Sequence, residues 1–157
     1  MKRCARCEGP LTSRKVDASR DVAGHLFVAS LPARHCRSCG ETSYDATVLQ
    51  RFDLHVANAL AEAGVGTGSA FRFMRKALGL RAVDLAELLD VSPETLSRWE
   101  TEKRALDRGA LAVLAACVRD ALAGRTSTID TLRALRTPRT LEKRVQLDLT
   151  GDRARSA

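Results

Sequence analysis

Apolar residues recur at helical spacing through residues 81–100, and polar residues fill the positions between them. Ala86 and Leu89 precede a short polar break, and Leu96 and Trp99 follow it three residues apart. Residues three or four positions apart share one face of a helix. The pattern therefore predicts two short helices that meet at a tight corner and close over the same core.

The second of these helices has a strong start signal. Ser92 can accept hydrogen bonds from free backbone N–H groups, Pro93 suits the first helical position, and Glu94 places negative charge at the positive end of the helix. Ala86 is small enough for two helices to cross closely, and Val91 is expected to fill the corner. This arrangement is typical of a helix-turn-helix, whose second helix lies in the DNA major groove.

The segment 78–100 resembles the repressor-type helix-turn-helix, also called XRE or Cro/C1-like. Asp90 stands at the corner where glycine is usual in that family, and Glu102 stands where glycine often follows the Trp-Glu pair. Aspartate tolerates left-handed backbone at modest cost, so the fold is expected to survive. Arg81 and Ala82 replace the usual Thr-Gln, which predicts a different set of contacts to the DNA backbone.

Four of the five cysteines form two Cys-x-x-Cys pairs, Cys4 with Cys7 and Cys36 with Cys39. Two thiolates separated by two residues can grip one side of a tetrahedral ion, and two such pairs complete the coordination of zinc. We therefore expect one structural Zn²⁺ per chain, with no position left for a catalytic water. An iron site or a redox-active dithiol pair is the alternative. The fifth, Cys117, is expected to be a buried, inert thiol.

Residues 1–63 are predicted to form an α+β zinc-binding module, a small antiparallel sheet plus one helix. Segments 13–19 and 24–31 have the pattern of strands, with a turn at 21–24 between them, and Asp45 is expected to cap a helix that runs to about residue 63. So small a module buries little core, and metal binding would supply the missing stability.

The rest of the chain is predicted to be all-α. Three glycines within 64–69 indicate a flexible linker that lets the two modules reorient. Residues 70–136 are expected to form a five-helix helix-turn-helix domain, in which Ser69, Asp107 and Ser127 open the helices outside the central pair.

Residues 137–157 are expected to form a basic tail. Polar and apolar residues alternate over 143–149, with Val145, Leu147 and Leu149 on one face, which predicts a strand that pairs with a partner or with another subunit. A disordered basic end is the competing interpretation.

Composition narrows the function further. The net charge of +7 permits nucleic-acid binding, but the helix-turn-helix region is nearly neutral and the excess lies in the tail. Neither a membrane-spanning apolar run nor a secretion signal is visible, so a cytoplasmic protein without membrane contact is expected. The sequence offers no nucleophile–base pair, open metal position or phosphate-cradling glycine loop, so no enzymatic activity is expected.

The exposed positions of the second helix are the candidates for reading DNA: Ser92, Glu94, Thr95, Ser97 and Arg98. Arg98 is the strongest of them because its guanidinium matches the O6 and N7 acceptors of guanine, although an ion pair with Glu94 is the alternative. Glu94 can accept from cytosine N4 and would repel phosphates. Cations that flank the helix pair are expected to neutralise phosphates: Arg75, Lys76, Arg81, Lys103 and Arg104.

The last helices carry more leucine than one small domain needs, which predicts a homodimer. A dimer of this kind would read a palindromic operator in double-stranded DNA.

The order of these parts resembles the MqsA family of antitoxins, also called YgiT-type zinc-finger proteins, over residues 1 to about 136. The resemblance places the zinc ligands on the four paired cysteines and the two base-reading positions on Glu94 and Arg98. It implies that the zinc module neutralises a cognate toxin, typically an mRNA-cleaving ribonuclease, and that the other domain dimerises and represses its own operon. The family has Asn where Glu94 stands, which predicts a different operator.

Two other functions stay open. One is a stand-alone XRE-family transcriptional regulator without a toxin, in which the zinc module supports structure or binds another protein. The other is a regulator that responds to oxidation through its zinc-binding thiols.

Overall fold

The computed structural model of the protein describes residues 3–140 and 142–146. Its N-terminal part is an antiparallel sheet in the order β1-β2-β3, with β1 at Leu11–Val22, β2 at His25–Cys36 and β3 at Thr42–Tyr44. The turn between β1 and β2 consists of Ala23 and Gly24, whose φ angles are 54° and 78°. Two consecutive residues with positive φ give the turn that matches the twist of a hairpin.

The β1–β2 hairpin is longer than the sequence predicts, and its register positions the cysteines. Pairing runs without interruption from Leu11 opposite Cys36 to Val22 opposite His25. The open end of the hairpin therefore lies beside the loop at residues 4–7. The second cysteine pair begins where β2 ends, so the two pairs meet at this end.

Six helices follow the sheet within the described residues. They are α1 (Ala46–Glu62), α2 (Gly68–Ala77), α3 (Ala82–Leu88), α4 (Pro93–Glu100), α5 (Arg108–Leu122) and α6 (Ser127–Arg136). α3 and α4 are the two short helices predicted on either side of the corner. The predicted fold class is confirmed, since an α+β module with a four-cysteine cluster precedes an all-α region of five helices.

One hydrophobic core joins α1 to the C-terminal helices. Leu60 of α1, Phe71 of α2 and Val118 of α5 are each at most 1% exposed and belong to the same cluster. α1 packs against both α2 and α5. The apolar face of α1 is thus shared between the sheet and the helices that follow.

The shared core extends to the segment 64–69, which the sequence predicts to be a flexible linker; whether the two modules reorient stays a prediction. Val65 donates its backbone N–H to Leu60 O at 3.0 Å and packs against the core, and α2 already begins at Gly68. The glycines make the turn possible, but burial of apolar surface on both sides holds the helices together. The predicted domain boundaries themselves stay a prediction.

The predicted helix caps hold for some helices only. Ser92 and Asp107 each accept a backbone N–H at the start of α4 and α5, as predicted. α2 is capped by Thr67 rather than Ser69, because the helix starts earlier than expected. Asp45 precedes α1 without a capping hydrogen bond, since its carboxylate lies near an arginine of β2.

α6 is held by a carboxylate from the preceding helix. Asp120 of α5 is 8% exposed, and its Oδ2 accepts from Ser127 Oγ at 2.6 Å, from Thr128 N at 2.8 Å and from Thr128 Oγ1 at 2.7 Å. These donors, the Ser127 hydroxyl first, hold the pKa of Asp120 well below its ordinary value because they stabilise the charged carboxylate. The start of α6 is therefore fixed to the end of α5.

No helix in the described ranges is long and apolar enough to cross a membrane. Residues 142–146, which include the start of the predicted tail strand, are exposed and form no strand. Leu147 and Leu149 lie outside the described residues, so the pairing of that strand stays a prediction.

Candidate DNA interface and metal centre

The corner between α3 and α4 has a left-handed residue at its centre. Asp90 has a φ of 53°, the conformation for which the helix-turn-helix pattern uses glycine. The N–H of Val91 donates to Ala86 O at 3.0 Å. Ala86 is 1% exposed, as expected for a small residue at a close helix crossing. Buried contacts therefore fix the angle between the two helices.

α4 presents a polar face to solvent. Leu96 and Trp99 are buried on one side, and the ring of Trp99 packs edge-to-face on Phe71 with centroids 6.2 Å apart. Glu94 and Arg98 are exposed. They form no ion pair with each other in the part of the chain that the structure describes. The guanidinium of Arg98 is thus available to an incoming acceptor.

The other predicted DNA contacts on α4 differ in how accessible they are. Ser97 is exposed, whereas Thr95 is half-buried. Ser92 Oγ accepts the N–H of Thr95 at 3.1 Å and donates to Thr95 Oγ1 at 3.0 Å. Ser92 and Thr95 therefore already satisfy each other at the helix start, and a DNA contact from either would add to or replace the cap.

Arg75 is not part of the phosphate-binding rim predicted from the sequence. It is 7% exposed, and its Nε and Nη2 donate to Glu100 at 2.6 and 3.0 Å. Its Nη1 donates to Leu80 O at 2.8 Å. Glu100 and the Leu80 carbonyl together engage all three nitrogens of the guanidinium, so the Arg75 side chain joins α2 to α4 and to the loop before α3.

The remaining predicted phosphate contacts lie at the surface. Lys76, Lys103 and Arg104 are exposed. Arg81 is also exposed, but it forms a two-pronged ion pair with Asp84 at 2.6 and 2.8 Å. Hydrogen bonding to Asp84 raises the pKa of Arg81 and lowers that of the carboxyl group. Any phosphate contact by Arg81 would compete with this pair.

Sequence reasoning missed the role of Glu102. This residue has a φ of 59°, and its Oε1 accepts the N–H of Gly68 at 3.0 Å. A Cβ at Gly68 would lie 2.3 Å from Trp99 O, so only glycine allows α2 to approach the end of α4. The departure from glycine at residue 102 was the available signal, since a side chain that tolerates strained backbone usually serves a purpose there.

The four paired cysteines converge on one point. Their sulfur atoms all lie within 4.8 Å of one another, with Cys4 Sγ 3.7 Å from Cys39 Sγ and Cys7 Sγ 3.5 Å from Cys36 Sγ. Zinc–sulfur bonds of about 2.3 Å place two sulfurs of a tetrahedron about 3.8 Å apart. All four are free thiols rather than disulfides.

The environment of the thiols suits a bound cation. Backbone N–H groups, that of Cys39 first and that of Ser38 next, lower the pKa of Cys36 to about 6. The N–H of Gly9 lowers the pKa of Cys7, but hydrogen bonds with neighbouring thiols, Cys39 first, raise it to about 12. Four thiols this close cannot all ionise without a positive charge among them, so the residues fit a structural metal ion such as zinc.

Two further side chains of a metal-binding type, His35 and Cys117, are not among the four clustered ligands. His35 lies beside the cluster, where its Nδ1 is 3.3 Å from Thr42 Oγ1 rather than among the thiols. Cys117 is 2% exposed in α5, and burial raises the pKa of its thiol to about 11. Both observations agree with a structural or inert role.

Residues 71–117 match the model of a protein family described as helix-turn-helix. The match spans α3, α4 and parts of α2 and α5, so it includes Arg98 and its neighbours on α4. No curated protein matches the sequence. The chain therefore carries a helix-turn-helix domain, the class of domain that inserts its second helix into DNA. More narrowly, its segment is of the XRE type.

Proposed function

We propose that the protein is a sequence-specific transcriptional regulator that reads DNA with α4. The observation that carries this proposal is the exposed face of α4, where Glu94, Ser97 and Arg98 are held by a buried frame within the segment that matches the helix-turn-helix family. A rigid frame matters because base-edge hydrogen bonds require fixed side-chain positions. No step of this function requires an enzymatic residue.

Within α4, Arg98 contacts guanine and Glu94 selects against other bases. A two-pronged arginine–guanine contact contributes about 1–3 kcal/mol of discrimination. Glu94 lies one turn away and can accept from cytosine N4, while its charge opposes a phosphate. Lys76, Lys103 and Arg104 are exposed near the helix pair and would supply the salt-dependent part of binding.

The test is a selection of binding sites from random duplex DNA with the purified protein and with Arg98→Ala. We expect the wild type to enrich a defined sequence and Arg98→Ala to lose preference at one guanine position. Arg14→Ala removes an exposed arginine of β1 and serves as the matched control. An unchanged preference in Arg98→Ala would remove this residue from the reading role, and absence of enrichment by the wild type would refute the proposal.

We further propose that two copies bind a palindromic operator. A groove of about 810 Å³ lies between the α3–α4 corner, α5 and α6, and Leu88, Val113 and Leu132 contribute to its lining. Leu135 borders it and is 71% exposed. Basic and acidic groups, among them Arg136 and Asp90, occur together in this patch, which suits the self-complementary contact of a two-fold interface. Sedimentation of wild type and Leu135→Glu would test it, since a charge here should give monomers.

The finer function that we propose is that of an antitoxin, with the zinc module as the toxin-binding part. Its support is the order of the parts, in which a four-cysteine module precedes an XRE-type domain, as in the family that the sequence resembles. Co-expression of the tagged chain with the product of the neighbouring gene tests this directly. A stoichiometric complex with a small protein that is toxic alone is the expected result, whereas a zinc-loaded dimer without partner would leave the stand-alone regulator.

A further inference from the structure

An apolar groove with a cationic border lies between β2 and α1, and its lining includes none of the predicted metal ligands or DNA contacts. It has a volume of about 470 Å³, within the range of roughly 300–1,000 Å³ that is usual for small-ligand sites. Residues 27–32 of β2 form one wall, and residues 48–56 of α1 form the other. Its lining is apolar except for Arg51 and His55.

The apolar lining is exposed to an unusual degree for a hairpin that packs on a helix. Val28 is 60% exposed, while Phe27, Leu31 and Val48 are half-buried. Apolar surface that is concave and open to water marks a site for a ligand or a partner. A ligand that covers this apolar surface would gain binding free energy, because the surface would be removed from water.

The charged border decides which ligand fits. Arg51 and His55 are one helical turn apart and exposed, and neither enters an ion pair among the residues that the structure describes. The nearest acid on the same helix, Asp53, is engaged by Arg20 at 2.8 Å. The positive charge of Arg51 is thus left without a counter-ion beside an apolar cleft.

We propose that this groove binds a small apolar carboxylate, with the hydrocarbon part between β2 and α1 and the carboxylate on Arg51. Arginine is the side chain whose donors match a carboxylate in two-pronged fashion, and a hydrogen bond between two charged groups is stronger than one between neutral groups. His55 lies one turn further along the same helix and can donate a second hydrogen bond. The site is separate from the DNA-reading face of α4 and from the metal cluster.

The experiment uses the zinc-loaded full-length chain with decanoate as the probe, in a displacement assay with a fluorescent apolar anion. We expect decanoate to bind and the neutral analogue 1-decanol to bind at least tenfold more weakly, because its hydroxyl lacks the negative charge and the second oxygen of a two-pronged contact with Arg51. Arg51→Gln should also weaken decanoate about tenfold, whereas Arg14→Gln on β1 should not.

A second pair of variants tests the apolar wall. Val28→Ser should weaken decanoate severalfold, while Leu26→Ser, a matched change at a β2 position that is 68% exposed and does not line the groove, should leave affinity unchanged. Backbone amide resonances of residues 27–31 and 48–56 should shift on titration. The proposal is overturned if decanoate does not bind, if both members of either variant pair behave alike, or if the shifts map elsewhere, as they would for a groove that serves only a protein partner.

Discussion

Replacing Arg75 tests whether this arginine stabilises the fold or contacts DNA. The sequence places it among the phosphate contacts, but the structure buries it against Glu100 with both side chains 8% exposed. Arg75→Met keeps most of the aliphatic volume and leaves the Glu100 carboxylate and the Leu80 carbonyl without their donors. The two interpretations predict opposite results for stability and for DNA binding.

The expected loss of stability is large. Breaking a buried ion pair by removing one partner costs about 3–5 kcal/mol, because an uncompensated charge remains inside. Arg72 Nε lies 3.9 Å from Glu100 and would compensate in part, so we expect about 3 kcal/mol. For a chain of this size that corresponds to a fall in melting temperature of about 6–12 °C.

The measurement is urea denaturation followed by the fluorescence of Trp99, the one tryptophan of the chain. Trp99 is 5% exposed and lies next to Glu100, so its emission reports unfolding of the affected core. Lys76→Met changes the adjacent exposed cation and should alter stability by less than about 0.5 kcal/mol. The double variant Arg75→Met/Glu100→Leu should recover much of the loss, since it removes both charges.

Binding to a non-specific DNA duplex at several salt concentrations completes the test. Lys76→Met should reduce the salt dependence by about one released counterion, whereas Arg75→Met, assayed where it is folded, should leave it unchanged. If Arg75→Met is as stable as Lys76→Met and lowers the salt dependence, the buried ion pair does not exist in solution and the reasoning is refuted.

Three further predictions follow from other sites. Asp120→Asn should destabilise the protein at neutral pH. The pKa of Asp120 is lowered in the folded state, so its carboxylate contributes its full stabilisation above the unfolded-state pKa of about 3.9. In a series of thermal melts, the difference in stability between wild type and Asp120→Asn should therefore shrink as the pH falls below that value. Asp90→Gly should stabilise the folded protein by about 1 kcal/mol, because glycine adopts the left-handed backbone without strain. Glu102→Gly should give no such gain, since it also removes the acceptor for the Gly68 N–H. Equal gains for the two variants in urea denaturation would argue against that capping role of Glu102. Cys36→Ser should reduce bound zinc well below one ion per chain in metal analysis, whereas Cys117→Ser should not, and zinc retention by Cys36→Ser would contradict the four-thiolate site.

Much of the helix-turn-helix could be predicted from the sequence because its determinants are local. The cap at Ser92, the proline after it and the spacing of Leu96 and Trp99 act within one or two helical turns, so they keep their meaning without tertiary information. The left-handed backbone at Asp90 was likewise anticipated, since a glycine position in the motif specifies a φ angle. The two cysteine pairs are also predictable from the sequence, because the Cys-x-x-Cys spacing itself brings two thiols to one side of a metal ion.

What the sequence by itself determined is therefore the set of elements, the four thiols that meet, and the face of α4 that points outward. Only the tertiary structure decided which cations are free to meet DNA, because Arg75 and Arg81 look alike in the sequence and differ in whether a buried Glu100 or an exposed Asp84 lies opposite. It also placed residues 64–67 between two helices that pack on one core. Both outcomes depend on contacts between residues far apart in the chain, and local pattern contains no record of such partners.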